Sequence, residues 1–179
     1  GPIGLVTALD LARYGIPSVV IEADVQVSHG SRAIVFTRRS MEILQQVGVA
    51  DRVMEKALPW RCGNSIYRGQ KVFRMEAPYD EDDRYQPMQN LQQQYLEEYL
   101  VDQVEAEPLI DLRWGTKLVS LENRGDGVSL MLDTPEGEYQ LNCDWLVAAD
   151  GAKSTVRGLA GLRMEGDSYT GNFVIADIK

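Results

Sequence analysis

The first residues of the chain carry a glycine pair whose spacing suits phosphate binding. Gly1 and Gly4 bracket Pro2 and Ile3, and a helical pattern starts at once. Free N–H groups and the helix dipole at such a helix N-terminus favour anionic oxygens. Glu22 ends an apolar run about 20 residues further on, where dinucleotide sites place an acid on the ribose hydroxyls. The alternative is an ordinary turn before a helix, with no ligand.

The same pattern limits which dinucleotide can bind and how much of the fold is present. A carboxylate at Glu22 disfavours a 2′-phosphate, so we expect FAD or NAD rather than NADP. The full fingerprint has one more glycine and a strand before this pair. Because the sequence opens at the pair itself, we expect a fragment that lacks the first strand of its fold.

A second strand-to-helix turn lies near the other end of the chain. Asp150 and Gly151 follow the apolar run 145–149, and a helix is predicted to start near Lys153. The run predicts a buried strand, and its turn suits phosphate and ribose contacts. The alternative is a turn in which Asp150 or Ser154 merely caps the helix.

The elements that must position these turns alternate between helices and strands. Small residues recur every four positions in the first helix, which allows close approach to a sheet. The pattern predicts an α/β, Rossmann-type domain: a parallel sheet with helices and an inserted antiparallel β-meander, without its first strand. The predicted helices are 2–14, 38–47, 49–57 and 91–106, and the predicted strands are 17–22, a hairpin over 62–76, 110–114, 116–123, 127–133, 138–142 and 145–149.

Composition excludes several classes of protein. The chain has 179 residues, 44% of them hydrophobic, which is typical of a globular domain with a core. A net charge of −9 gives no general attraction for nucleic acid, and no apolar run approaches the roughly 20 residues that span a bilayer. Cys62 and Cys143 make neither a disulfide scaffold nor a metal site. We therefore expect a cytoplasmic protein with no nucleic-acid, membrane or metal partner.

Several motifs together resemble one enzyme family. The run W-L-V-A-A-D-G-A-K-S-T-V-R over 145–157 resembles the DG motif of the single-component FAD-dependent aromatic hydroxylases, the para-hydroxybenzoate hydroxylase superfamily. The segments 31–33, 39–48 and 90–97 resemble its arginine segment, the helix after it and its Q-x-x-x-E segment. The nearest branch is that of 3-(3-hydroxyphenyl)propionate hydroxylases.

The resemblance implies flavin contacts for residues in the first half of the chain. Gly1 and Gly4 match the pyrophosphate glycines, and Glu22 matches the acid on the adenosine ribose. Arg32 matches an arginine near the flavin and its diphosphate, and Gln93 matches a glutamine on the ribityl or phosphate region.

Near the end of the chain, the resemblance implies that Asp150 and Gly151 serve the flavin and take part in nicotinamide binding. Arg157 matches the arginine that supports this turn. Ala23 departs from the pattern, because the family often has a basic residue there, and the family's later G-D motif is absent.

The resemblance also implies an activity and a domain division. The FAD-binding domain would cover 1–168, and 169–179 would start the sheet of the substrate domain, both truncated. The enzyme would use NADH or NADPH and O₂ to hydroxylate a phenol through a flavin C4a-hydroperoxide. No catalytic residue is expected in this chain. Whether the enzyme is a homodimer is left undecided by the sequence. Alternatives are a related flavin-dependent halogenase or reductase, or a non-catalytic FAD-binding remnant. We expect that the chain alone folds poorly and does not retain FAD.

Overall fold

The computed structural model describes residues 1–28, 34–172 and 174 of the chain. It contains both helices and strands, as the sequence pattern predicts. The helices are α1 (Pro2–Arg13), α2 (Arg38–Gln46), α3 (Ala50–Lys56), α4 (Gln93–Glu105) and α5 (Thr155–Leu159). The strands are β1 (Ser18–Ile21), β2 (Val35–Thr37), β3 (Leu58–Trp60), β4 (Cys62–Tyr67), β5 (Gln70–Glu76), β6 (Met88–Asn90), β7 (Ile110–Arg113), β8 (Lys117–Asn123), β9 (Val128–Thr134) and β10 (Gly137–Cys143).

A parallel strand pair is the frame on which the first turn is built. β1 pairs in parallel with β7, with Ser18 opposite Ile110 and Ile21 opposite Arg113. Parallel neighbours need a long crossover, which here includes α4, and α1 and α4 pack against each other. The predicted α/β class with a parallel pair is therefore confirmed.

The inserted meander is also confirmed. β8, β9 and β10 form an antiparallel sheet in the order β10-β9-β8. The turn between β8 and β9 requires glycine at Gly127, because an added Cβ would lie 2.8 Å from the carbonyl oxygen of Cys143. Arg113 donates a hydrogen bond to the Tyr139 hydroxyl at 2.9 Å, which joins the parallel pair to the meander.

Two smaller sheets complete the fold. β4 and β5 form the predicted hairpin, and β2, β6 and β3 form a three-stranded antiparallel sheet that the sequence analysis missed. Each strand of that sheet has only three residues, which is too short for an alternating pattern to appear.

The core lies between the helices, on the faces that their apolar spacing predicts. α1 contributes Leu5 and Leu9, and α4 contributes Leu96, Leu100 and Val104 at intervals of about one turn. Burying each such side chain stabilises the fold by roughly 1.5–3 kcal/mol. This cluster holds the start of α1 and the start of α4 in fixed relation.

The prediction of a buried strand over 145–149 is wrong. These residues pair with no strand among the described residues, and the side chains of Trp145 and Val147 are 88% and 59% exposed. A strand is defined by its hydrogen-bonded ladder, and β1 is paired only with β7 in this part of the chain. An apolar run without a partner strand therefore stays outside a sheet.

The predicted division at 168 and 169 stays a prediction. Residues 173 and 175–179 lie outside the described residues, and the described Asn172 and Val174 are not in a strand. In the described segments, no helix has both the length and the apolar character that crossing a bilayer demands.

Candidate functional site

The first glycine turn leaves backbone donors without acceptors. α1 begins at Pro2, Gly1 is its N-cap, and no side chain of a described residue caps it. The first intrahelical bond runs from the Leu5 N–H to the Gly1 carbonyl, and within the described residues the N–H groups of Ile3 and Gly4 have no acceptor. No acidic residue lies in the first turn of the helix. A 12-residue helix with two free N–H groups at its start is suited to an anionic oxygen.

Glu22 lies against this turn, as its place after β1 predicts. Its Oε2 is 2.9 Å from the backbone nitrogen of Gly1. The main chain at Glu22 is held on both sides, because its N–H donates to Arg113 and its carbonyl accepts from Thr116. Its Oε1 also accepts from the Asp24 N–H at 3.3 Å. The carboxylate is thus fixed at the end of β1, beside the open end of α1.

The second glycine turn has a different structure, because its polar groups are used within the turn. The Asp150 Oδ2 accepts from the Val156 N–H at 3.0 Å, and the Ser154 Oγ accepts from the Arg157 N–H at 2.9 Å. Both are caps of α5, so the capping alternative describes these side chains. Gly151 has φ +77°, a conformation that favours glycine.

Charge and a side-chain clamp reinforce the second turn. Burial raises the pKa of Asp150, but hydrogen bonds from Ser154 and from backbone N–H groups outweigh it, so the pKa is lowered. Arg157 donates from Nη2 to the Ala152 carbonyl at 2.6 Å, and this bond links the helix α5 to the turn before it. Its predicted supporting role has this geometric basis.

The two turns are neighbours. A Cβ built on Gly4 would lie 3.4 Å from the Cβ of Ala149, the residue directly before Asp150. The start of α1 and the 150–151 corner are therefore adjacent, which the motifs at opposite ends of the sequence require if they are to contact one ligand. A Cβ at position 4 would already be in contact with Ala149, so a side chain larger than that of alanine would push the turns apart.

The start of α4 brings Gln93 together with an acid that the sequence analysis left without a role. Gln93 Nε2 donates to Glu97 Oε1 at 2.6 Å, and Glu97 Oε2 accepts from the Ser28 N–H at 2.9 Å and from the Ser28 hydroxyl at 2.7 Å. Glu97 is only 4% exposed. The signal was available, because residues four apart share a helix face.

The charge state of Glu97 follows from these contacts. Burial raises its pKa, but the hydrogen bonds from Gln93 and Ser28 outweigh burial. The pKa of Glu97 is therefore lowered. α4 packs against α1, so Glu97 and the first turn belong to neighbouring helices.

Arg32 lies outside the described residues, so its predicted contact with the flavin stays a prediction. The same holds for the ligand contacts of the other predicted residues, since the structure contains no ligand. What the structure establishes is position: Gly1, Gly4 and Glu22 are together, and the 150–151 corner is beside them.

Comparisons with known proteins find similarity to FAD-binding domains and to monooxygenases and hydroxylases. The family model described as "FAD binding domain" matches residues 1–179. The chain is 29% identical over 182 residues to a para-nitrophenol 4-monooxygenase of Pseudomonas sp. (strain WBC-3), covering 99% of this chain and 45% of that protein. It is 27% identical over 180 residues to a 3-(3-hydroxy-phenyl)propionate/3-hydroxycinnamic acid hydroxylase of Burkholderia cenocepacia (strain HI2424), covering 100% of this chain and 33% of that protein.

A solved structure gives the same result for the fold. The flavin-dependent monooxygenase PieE, solved in complex with FAD and substrate, superposes with a TM-score of 0.82 at 32% identity. The match covers 93% of this chain and 31% of PieE. The chain thus spans 31–45% of the length of these relatives, and the resemblance inferred from the motifs is confirmed.

Proposed function

Because the chain belongs to the FAD binding domain family, we propose that it supplies the FAD-binding part of an NAD(P)H-dependent monooxygenase that hydroxylates a phenolic ring. One observation carries the proposal. The free N–H groups of Ile3 and Gly4 open beside Glu22 and beside the 150–151 corner, so phosphate, ribose and flavin contacts can be made in one place.

The residues present fit FAD in their donor and acceptor chemistry. The uncapped start of α1 offers N–H donors and a positive dipole end to a diphosphate, with no acid in its first turn. Glu22 offers a fixed acceptor to ribose hydroxyls. The half-buried side chain of Gln93 offers a further polar group at the start of α4.

FAD, when bound, would supply the redox chemistry of a reaction in which NADH or NADPH is oxidised, one oxygen atom of O₂ enters the ring and the other leaves as water. The described residues bind and orient the cofactor. Asp150, held as a carboxylate within its turn, and Arg157, held on Ala152, keep the 150–151 corner rigid beside the cofactor space. The flavin–oxygen route expected from the resemblance stays a prediction.

The substrate class is proposed from the relatives. The names of both curated relatives specify phenolic substrates, a nitrophenol and a hydroxyphenyl acid. We therefore propose a phenol, NAD(P)H and O₂ as the small-molecule partners. Deprotonation of the phenol would make its ring electron-rich, and we place no residue of this chain in that role.

A titration of FAD tests the binding role in the enzyme that carries this domain. Glu22→Ala should weaken FAD about tenfold, because one or two hydrogen bonds to a charged acceptor are lost. FMN lacks the adenosine ribose, so its affinity should be unchanged, and Glu42→Ala on the exposed side of α2 serves as the matched acidic control. Equal loss for FAD and FMN, or no loss for either, would refute the assignment of Glu22.

Turnover tests the reaction. A phenol should stimulate NAD(P)H oxidation, and hydrogen peroxide measured in parallel separates hydroxylation from uncoupled oxidation. A halide requirement would indicate a halogenase, and FAD binding without any NAD(P)H oxidation would indicate a non-catalytic domain.

A further inference from the structure

We propose that Glu97 is a positioning residue that fixes the orientation of the Gln93 amide, so that the Gln93 carbonyl oxygen faces a ligand hydroxyl. The proposal rests on the proposed function, because the ligand is taken to be FAD. It adds a role for a buried acid that makes no ligand contact itself.

The contacts of Glu97 leave Gln93 only one orientation. An ionised carboxylate accepts hydrogen bonds and cannot donate them. The bond of 2.6 Å between Gln93 and Glu97 Oε1 must therefore use the Gln93 Nε2 as donor. Among the described residues no donor reaches the Gln93 Oε1, which is left as an acceptor at the start of α4.

A free carbonyl acceptor selects between the groups of a dinucleotide. A hydroxyl can donate to the Gln93 Oε1, whereas phosphate oxygens only accept at neutral pH. The buried negative charge of Glu97, one hydrogen bond away, also repels a phosphate at this point. Gln93 is therefore placed to bind a hydroxyl-bearing chain, and the phosphates are left to the free N–H groups of α1.

The other oxygen of Glu97 makes the arrangement asymmetric. Oε2 accepts from the Ser28 N–H, a backbone donor that cannot reverse its polarity. A glutamine at position 97 would therefore keep its single carbonyl oxygen on Ser28 and turn its NH₂ group toward Gln93. The Gln93 amide would then flip to accept from that NH₂, and it would present a donor to the ligand instead of an acceptor.

The same helix provides a matched control one residue further on. Gln94 Nε2 donates to Glu98 Oε1 at 2.9 Å, so this pair has the same residue types and the same spacing as Gln93 and Glu97. Glu98 has no bond to Ser28 and is more exposed than Glu97. Glu98→Gln repeats the chemical change away from the start of the ligand space.

The experiment measures the affinities of FAD and ADP for the enzyme that carries this domain, by fluorescence titration and calorimetry. ADP shares the adenosine and diphosphate of FAD but has no polyol chain on the flavin side. We expect Glu97→Gln to weaken FAD about tenfold, the value of one lost charge-assisted hydrogen bond. ADP affinity should change less than twofold, and Glu98→Gln should leave both affinities unchanged.

A double-mutant cycle shows whether Glu97 acts through Gln93. Gln93→Ala should weaken FAD by a similar factor, and adding Glu97→Gln to it should cause no further loss. Fully additive losses, or an unchanged FAD affinity in Glu97→Gln, would overturn the proposal. An equal loss for ADP would also overturn it, since the hydroxyl would then belong to the adenosine ribose.

Two measurements keep the outcomes separable. If Glu97→Gln fails to fold by circular dichroism, Gln93→Ala carries the test, and an unchanged FAD-to-ADP affinity ratio in that variant overturns the proposal. If the unsubstituted protein binds no FAD, the proposed function itself fails. FAD binding that Glu97→Gln leaves intact refutes only the role of Glu97.

Discussion

The two glycine turns both place glycine before a helix, but they differ in whether their polar groups are already hydrogen-bonded within the turn. At the first turn, the N–H groups of Ile3 and Gly4 have no acceptor within the described residues, and the acid beside them, Glu22, comes from another element. At the second turn, Asp150 and Ser154 both cap their own helix. Glycine before a helix therefore predicts a turn, but the capping side chains decide whether the N–H donors of that turn are free for a ligand.

This difference assigns different roles to the two turns. The free donors of α1 are suited to the diphosphate, and the self-capped corner at 150–151 is suited to hold the wall of the cofactor space in shape. α5 has five residues, so its own helix dipole is short, and its first donors are already used. Substitutions at the two turns should consequently differ in what they change.

Gly4→Val should have the largest effect, because it breaks the contact between the two turns. Even a Cβ at this position would lie 3.4 Å from Ala149 Cβ, and the branched side chain must displace one turn from the other. We expect a stability loss of about 1–3 kcal/mol and an FAD affinity loss of roughly hundredfold or more, since two charge-assisted bonds are lost. Thermal unfolding and FAD titration measure the two effects.

Gly158 supplies the control for that substitution. It lies in α5, and nothing is within 4 Å of an added Cβ. Gly158→Ala should keep or slightly raise stability, because alanine favours a helix over glycine. Equal losses in Gly4→Val and Gly158→Ala would contradict the special status of the contact with Ala149.

Asp150→Asn should have a smaller effect that falls mainly on stability. The side chain keeps an acceptor for the Val156 N–H, but the charge-assisted bond becomes a neutral one, with a cost of about 1 kcal/mol or less. FAD affinity should fall by less than tenfold, in contrast to Gly4→Val. A loss of FAD binding without a loss of stability would show that Asp150 contacts the ligand directly. It would contradict the assignment of a ligand-binding role to the first turn and a structural role to the second.

The smallest effect is in the acid dependence of stability. The pKa of Glu97 and that of Asp150 are both lowered in the folded state. Their stabilisation is therefore complete above the unfolded values, near 4, and is lost as the pH falls through the lower folded values. Glu97 is held as a carboxylate by Gln93 and by Ser28 from another part of the chain, while Asp150 is held mainly by its own turn.

Thermal unfolding between pH 6 and pH 3 measures this dependence. Glu97→Gln should flatten the acid slope more than Asp150→Asn, because Glu97 is buried and Asp150 is exposed. The reverse order of slopes would contradict the comparison, and a slope unchanged in both variants would show that other carboxylates dominate.

Much of the fold was predictable because local patterns are long enough to be distinctive. The helical spacing of α1 and α4 and the hairpin and meander turns all appear where the sequence indicates them. The strands β2, β3 and β6 could not be predicted, since three residues carry no period. Residues 145–149 show the converse error, in which an apolar run indicated a strand that has no ladder among the described residues.

The sequence predicted which residues form the candidate site, but it did not predict the hydrogen bonds between them. The types and spacing of Gly1, Gly4 and Glu22 indicated a phosphate and ribose site, and the structure brings them together. The spacing of Gln93 and Glu97 indicated that they share a helix face, but the bond between Glu97 and Ser28 could not be predicted, because Ser28 is far away in the chain. Long-range partners are invisible to spacing.

By itself, the sequence determined which residue types follow each strand and begin each helix, because turns and caps depend on neighbouring residues. Only the tertiary structure decided that Gly4 lies against Ala149 and that Glu97 accepts a hydrogen bond from Ser28. It also decided that the Asp150 carboxylate accepts a hydrogen bond from its own helix. The physical reason is that a hydrogen bond or a packing contact needs two partners in space. The local sequence indicates one partner of each contact, and the packing of α1, α4 and the parallel strands brings the other partner to it.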